Sequence, residues 1–226
     1  MKEYLYILCI FAAFLSSLSV YRLDAAHYKV IAIVTTLDLV LEVWANVLAA
    51  HHLSNIAVYN LALLSEFILY GLYYLLILKY SWVRVVIPLY LCLLLVCWFI
   101  STVLVIGIGH WNAYFSITGG IFTVAFSVVY YYQMFTADEL VPLRTSFEFW
   151  IASALILIAT ALILFFTCTL LYFGMLRYLT VIFRPLAKKG FSPFQLINII
   201  FYSIVTYAFL CRINIKRSWR SSSRGA

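Results

Sequence analysis

Long apolar runs separated by short polar connections cover almost the whole chain. Seven of these runs reach the roughly 20 residues that a helix needs to cross the hydrocarbon core of a bilayer. Their approximate ranges are 4–21, 29–50, 57–78, 83–106, 112–135, 147–174 and 193–211. The pattern predicts an all-α polytopic membrane protein: a bundle of seven transmembrane helices that forms a single domain (1–226) and ends in a basic tail (212–226).

Composition agrees with this class. Hydrophobic residues make up 66% of the chain and charged residues only 10%, whereas a soluble domain carries about 25% charged residues. The net charge of +7 comes from basic residues at the ends of apolar runs, and no basic stripe with interleaved aromatic residues suggests a nucleic-acid partner. The lipid bilayer is therefore the expected surrounding of most of the chain.

The first apolar run would also suit a signal peptide. Its leading charges, Lys2 and Glu3, oppose one another, and no clear small-residue cleavage site follows Ser19. We therefore interpret the run as the first transmembrane helix.

The distribution of Lys and Arg predicts the orientation. The tail after the seventh helix carries five basic residues and no acid, whereas the connections HHLSN (51–55) and GIGHWN (107–112) carry neither Lys nor Arg. By the positive-inside rule the C-terminus is cytoplasmic, and seven crossings then place the N-terminus outside. We expect a multi-pass protein of the inner (plasma) membrane.

One connection departs from this rule. The segment Arg177–Lys189 would lie outside although it carries Arg177, Arg184, Lys188 and Lys189. Its cations would contact lipid headgroups in an interfacial segment, or form an edge that binds an anion or a partner. A wrong number of crossings would also explain the segment.

Polar residues inside the spans are the strongest functional signal. Asp38, Glu42 and Asn46 recur at i, i+4 and i+8 and so share one side of the second helix. An acid at the centre of a span costs roughly 2.5–3.5 kcal/mol on insertion scales. We expect both acids to face the interior of the bundle, with at least one of them protonated.

The third and seventh helices supply matching polar residues. Tyr59, Glu66 and Tyr70 recur on one face of the third helix, and Glu42 and Glu66 both lie about 12–14 Å below the outer surface at 1.5 Å per residue. On the seventh helix Asn198 and Tyr202 repeat the four-residue spacing. The candidate ligand-binding residues are Asp38, Glu42, Asn46, Asn60, Glu66, Tyr70, Asn198 and Tyr202.

Three interpretations of this cluster stay open. Acids, amides and phenols would lock the helices together in a hydrogen-bonded polar core. They would alternatively line a pocket that opens outward and orients a small polar or cationic molecule. Membrane carboxyl groups without a Lys or Arg partner are also typical of ion and proton pathways.

The sequence contains no recognisable motif for metal binding or catalysis. His51, His52 and His110 lie near the outer mouth, but no HxxxH, HExxH or ExxH spacing is present. Catalytic triads, phosphate-binding glycine loops and haem motifs are also missing from the sequence, so we expect no enzyme activity, metal or cofactor. Thr145 and Glu148 match a capping box, which assigns Glu148 to a helix cap at the membrane interface.

Short motifs carry a family resemblance. They comprise Tyr59, Asn60, Glu66 and Phe67 in YNLALLSEF, Phe149 and Trp150 in FEFWI, Asn198, and the FLC of residues 209–211. With the number of spans, they resemble a family of small seven-helix inner-membrane proteins of Bacteroidetes-type bacteria. That family is similar to the membrane-embedded sensor portions that precede histidine kinases. The resemblance implies an outside N-terminus, a cytoplasmic C-terminus and a sensing role.

These observations favour an integral membrane receptor or sensor with a polar acidic pocket in the outer half of the bundle. Because no kinase follows the seventh helix in this sequence, we expect a signal to pass to a separate cytoplasmic or membrane protein, with the basic tail as one contact. A small-solute or proton-coupled transporter is the first alternative. A structural subunit of a larger membrane complex is the second.

Overall fold

A computed structural model of the chain describes residues 2–19, 25–110, 112–137, 146–179 and 196–213. These residues form seven α-helices and contain no strand. The helices are α1 (Lys2–Leu18), α2 (Ala26–Ala50), α3 (Ile56–Ile77), α4 (Val83–Trp98), α5 (Ala113–Phe135), α6 (Phe147–Leu179) and α7 (Leu196–Ile213). The all-α prediction is thereby confirmed for the described part of the chain.

Six of the helices, α2 to α7, are long and apolar enough to cross a membrane, with α4 counted together with its continuation to Ile106. The chain is thus a multi-pass membrane protein, as its hydropathy predicts. Helix α1 is shorter, with 17 residues. The seventh crossing and the orientation of the termini stay predictions.

Helix α2 ends at the adjacent histidines His51 and His52. The main-chain N–H of His52 donates to Ala49 (3.0 Å) and that of Leu53 to Leu48 (2.9 Å). His52 has a φ of 57°, the left-handed conformation that closes a helix in the Schellman arrangement. The backbone at His52 therefore turns the chain from α2 into α3.

The helices form one connected bundle. Helix α2 packs between α1 and α3, α3 also contacts α4 and α5, and α5 lies along α6. The loop segments 51–55 and 107–110 lie at the same end, which we call the α2–α3 end, because Asn60 near the start of α3 donates to the main chain of Ile108 and His110. The opposite end, called the α3–α4 end, carries residues 78–82 and the start of α6.

A π-helical segment, Phe99–Ile106, continues α4 and stops at Gly107, whose φ of 88° suits glycine. Asn112 fixes this segment to α5. Its side-chain oxygen accepts from the main-chain N–H of Phe115 (3.0 Å), and its amide nitrogen donates to Ser101 (2.6 Å) and Thr102 (2.8 Å). Asn112 is thus the N-cap of α5 and also donates to two hydroxyl groups of the π-helical segment.

Glycine on α5 permits close packing with α3. A Cβ at Gly119 would collide with the ring of Phe67, which is 2% exposed and contacts Phe115 edge-to-face. Small residues at such contacts allow membrane helices to approach one another. This approach helps to hold α3, which carries Glu66, in a fixed position.

Candidate functional site

Asp38 lies at the midpoint of α2, twelve residues from each end of the helix, or roughly 18 Å at 1.5 Å per residue. Its side chain is buried, with 6% exposure. The hydroxyl of Tyr202 on α7 donates to Oδ2 of Asp38 (3.0 Å), whereas Oδ1 is buried without a hydrogen-bond partner among the described residues. Within the described part of the chain, one oxygen of the Asp38 carboxyl group is therefore left without a donor.

Glu66 on α3 is the electrostatic neighbour of Asp38. The phenols of Tyr70, one turn further along α3, and of Tyr202 interact with both carboxyl groups. Like charges repel more strongly where the dielectric constant is low. A proton or a cation beside this pair would reduce the repulsion.

Glu42 lies one turn beyond Asp38 and faces α1. The hydroxyl of Tyr6 donates to Oε2 of Glu42 (3.4 Å), and the amide of Asn46 donates to Oε1 (3.2 Å) and to the main-chain oxygen (2.8 Å). Tyr6 also packs against Tyr202, with ring centroids 6.1 Å apart. Through Tyr6, the Glu42 site and the Asp38 site form one cluster.

The helical repeat explains why the acids separate. Residues four apart differ by about 40° around the axis, because a helix has 3.6 residues per turn. Asp38 consequently faces the interior, Glu42 is half-buried towards α1, and Asn46 is exposed. From the sequence we expected Glu42 and Glu66 to lie at the same depth. Asp38, one turn before Glu42, is the acid that interacts electrostatically with Glu66.

A groove of about 270 Å³ runs between α1 and α2 beside Glu42. Glu42 and Asn46 supply the small polar part of its lining, which we call its polar wall. The other lining residues are apolar: Ile7, Ile10, Leu39, Val43, Val47 and Ala50. The acidic cluster thus borders a cavity whose surface is mostly hydrocarbon.

Two of the candidate ligand-binding residues lie apart from this cluster or at its margin. Asn60 is buried at the α2–α3 end, where its amide donates to the main-chain oxygens of Ile108 (3.1 Å) and His110 (2.8 Å). Its main-chain oxygen accepts from the indole of Trp98 (3.3 Å), so Asn60 fixes a loop. Asn198 is half-buried on α7, one turn before Tyr202.

Tyr6 was not among the residues singled out from the sequence, although a signal exists. Tyr6, Ile10, Ala13 and Ser17 recur at three- and four-residue intervals, and the last three are fully buried. Such spacing is typical of a helix face that packs inward. A tyrosine on that face requires a hydrogen-bond partner, which is Glu42.

A second polar cluster, at the α3–α4 end, links α2, α6 and α7. Glu148 accepts from Tyr28 (3.1 Å), and its Oε1 lies at hydrogen-bond distance (2.9 Å) from Nε2 of His27, while Arg212 lies 5.1 Å from the centre of the Tyr28 ring. Glu148 is therefore more than the helix cap that its spacing predicts. The main-chain N–H of Phe149 bonds to Ser146 (3.3 Å).

Some sequence predictions fall on other parts of the chain. Thr145, Arg184, Lys188 and Lys189 lie outside the described residues, and so does the tail from residue 214 onward. Arg177 belongs to α6, but its side chain is outside the description.

Comparison with known proteins gave no match among protein families, curated proteins or solved structures. The acidic cluster and the groove beside it are therefore the features of the molecule that indicate its function.

Proposed function

We propose that the protein is a membrane receptor whose acidic cluster binds a small cationic ligand. One observation supports this function above all others. Asp38, Glu42 and Glu66 converge within the bundle, and among the described residues no Lys, Arg or His lies within ion-pairing distance of them. Their side-chain hydrogen-bond donors in this part of the chain are phenols and an amide.

A purely structural polar core explains the cluster less well. Buried polar groups that join helices are stabilising when each of them is satisfied, and costly when one is left over. Oδ1 of Asp38 has no partner among the described residues, and Glu66 adds a second carboxyl group that interacts electrostatically with Asp38. A cation that enters the cluster would satisfy both groups.

Ligand binding would act on the packing of α2 against α7. The contact between Asp38 and Tyr202 joins these helices at the midpoint of α2. A cation that draws the Asp38 carboxyl towards itself would weaken this contact and shift the balance between two packings of α7. In the predicted orientation α7 leads to the cytoplasmic basic tail, where a separate partner protein would detect the change.

Small cations test this proposal. The purified protein would be placed in nanodiscs of zwitterionic lipid, and its thermal unfolding would be followed while methylammonium or tetramethylammonium is titrated. A ligand that binds only the folded state stabilises it by about 2.7 kcal/mol at one hundred times its Kd. We expect saturable stabilisation in the wild type, and affinity at least tenfold weaker in Glu66→Gln.

The matched control is Glu148→Gln, the same chemical change in the polar cluster at the α3–α4 end. This variant should keep the response to the cation, measured against its own unfolding temperature without ligand. A wild type that responds to neither cation contradicts the proposal. An unchanged response after Asp38→Asn, Glu42→Gln and Glu66→Gln are combined would contradict it as well.

A proton-coupled carrier is the second candidate, because the Asp38–Glu66 pair would release or take up a proton when its surroundings change. A carrier must move solute across a sealed membrane, whereas a receptor need not. Uptake of a cation into proteoliposomes that disappears in Glu66→Gln would favour the carrier. Saturable binding without uptake would favour the receptor.

A further inference from the structure

The groove between α1 and α2 opens sideways. Its floor includes Ile10, which is fully buried, and its rim includes Val43 and Val47, whose side chains are 52% and 50% exposed. Val43 and Val47 lie seven and three residues before the end of the 25-residue α2. Exposed apolar side chains at these positions of a membrane helix face lipid tails. A molecule dissolved in the bilayer can therefore reach the groove without first passing through water.

The polar wall of the groove decides the charge of its occupant. Glu42 and Asn46 form this wall, and Glu42 retains a carboxyl group whose described side-chain partners, Tyr6 and Asn46, carry no charge. An anionic lipid headgroup would be repelled there. A positively charged headgroup would be attracted and would also approach the buried carboxyl group of Asp38, one turn further along α2.

We propose that the ligand is an amphipathic amine with a single alkyl chain, which enters the groove laterally from the bilayer. This inference rests on the proposed receptor function and names the class of its ligand. The ammonium group binds Glu42, and the alkyl chain lies between Ile10 and Val43.

The size of the cavity supports a slender molecule. Sites for drug-sized ligands usually measure about 300–1,000 Å³, and this groove, at about 270 Å³, is slightly smaller. One alkyl chain suits such a space, whereas a two-chain lipid does not.

The test uses a series of n-alkylamines from methylamine to octylamine, titrated into the full-length protein in zwitterionic nanodiscs, with octanol as the uncharged control. Thermal unfolding gives the half-saturating concentration. The blocking variant is Val43→Trp, which places a large ring in the groove. Its matched control is Val40→Trp, which adds the same ring to an equally exposed valine (56%) outside the groove. Unfolding without ligand verifies that both variants are folded.

We expect the half-saturating concentration of the wild type and of Val40→Trp to fall by about fourfold per added methylene, the factor for transferring one such group out of water. Val43→Trp should weaken octylamine binding at least tenfold relative to Val40→Trp. Glu42→Gln should weaken it as well, and octanol should give no saturable response.

The possible outcomes separate the two proposals. If methylammonium binds but octylamine binds no more tightly, or if Val43→Trp and Val40→Trp respond alike to octylamine, the groove is not the site of the chain and this inference is wrong. If no amine of any length binds the wild type, the receptor proposal fails, and the inference fails with it. Octanol binding as tightly as octylamine would contradict the role of Glu42.

Discussion

The hydrogen bond between Tyr202 and Asp38 allows a sharp test of the energetics of the cluster. Tyr202→Phe removes the hydroxyl group that donates to Asp38 and retains the ring. Both side chains are buried, with 7% and 6% exposure; the hydroxyl group donates to Oδ2 of Asp38, and Oδ1 has no partner among the described residues. The substitution would therefore leave the whole carboxyl group without a described donor.

The expected cost follows from two limits. Hydrogen bonds to charged groups contribute about 1.5–3 kcal/mol, whereas interhelical hydrogen bonds in membranes average about 0.6 kcal/mol. The burial of Asp38 at the centre of α2 favours the upper range. We expect Tyr202→Phe to lower the free energy of unfolding by about 2 kcal/mol.

A second substitution isolates the cause. Asp38→Leu replaces the carboxyl group by an apolar side chain of similar size, and it removes a group that costs roughly 2.5–3.5 kcal/mol at the centre of a span. We expect Asp38→Leu alone to maintain or raise stability. In the Asp38→Leu background, Tyr202→Phe should then cost nothing, because the hydroxyl group has lost its acceptor. The difference between the two backgrounds is the coupling energy of the pair.

Reversible unfolding in mixed micelles, followed by circular dichroism, provides the measurement. Tyr132→Phe, at a position that is 64% exposed on α5, is the control for removing a phenol and should change stability by less than about 0.5 kcal/mol. An equal loss of stability from Tyr202→Phe in the wild type and in the Asp38→Leu background would refute the reasoning. The hydroxyl group would then act on something other than the carboxyl group.

Two further predictions concern packing and charge away from the acidic cluster. Glu148→Gln should lower the free energy of unfolding by about 1 kcal/mol, because an amide oxygen is a weaker acceptor than a carboxylate for Tyr28 (3.1 Å) and His27 (2.9 Å). Chemical denaturation measures this, and unchanged stability would contradict it. Gly119→Ala should lower the free energy of unfolding by about 1–3 kcal/mol in the same assay, because the added Cβ would collide with the buried ring of Phe67. Gly109→Ala is the control: no atom lies within 4 Å of its added Cβ, so the free energy of unfolding should be nearly unchanged.

Periodicity predicted the helices and the inward position of Asp38 well. Apolar runs of sufficient length can form few other structures in a membrane, so the bounds of α2 and α3 differ from the predicted ranges by at most three residues. An acid at the centre of a span is costly in lipid, and Asp38 is buried accordingly. These features depend only on local sequence and on the solvent.

The partner of each polar group was harder to predict. Which acid meets Glu66 depends on how α2 and α3 are rotated and shifted against each other, and side-chain packing along the whole interface sets both values. Asn60 shows a second limit, because its acceptors belong to the loop 107–110, about fifty positions away in sequence. His27 and Glu148, which contact each other, are 121 positions apart. Nothing in the sequence around either residue identifies the other as its partner.

The proposed signal depends on two contacts that join the same pair of helices. Tyr202 contacts Asp38, and Arg212 contacts Tyr28, so both the α2 and the α7 partners are ten residues apart, or roughly 15 Å along each axis. Helices of this length move nearly as rigid bodies, so a displacement of α7 at Tyr202 also changes the position of Arg212 over the Tyr28 ring. Coupling between sites requires an element with two arrangements that both sites bias. The antiparallel pair of α2 and α7 meets the geometric part of that requirement, because each of the two contacts joins one residue of α2 to one residue of α7.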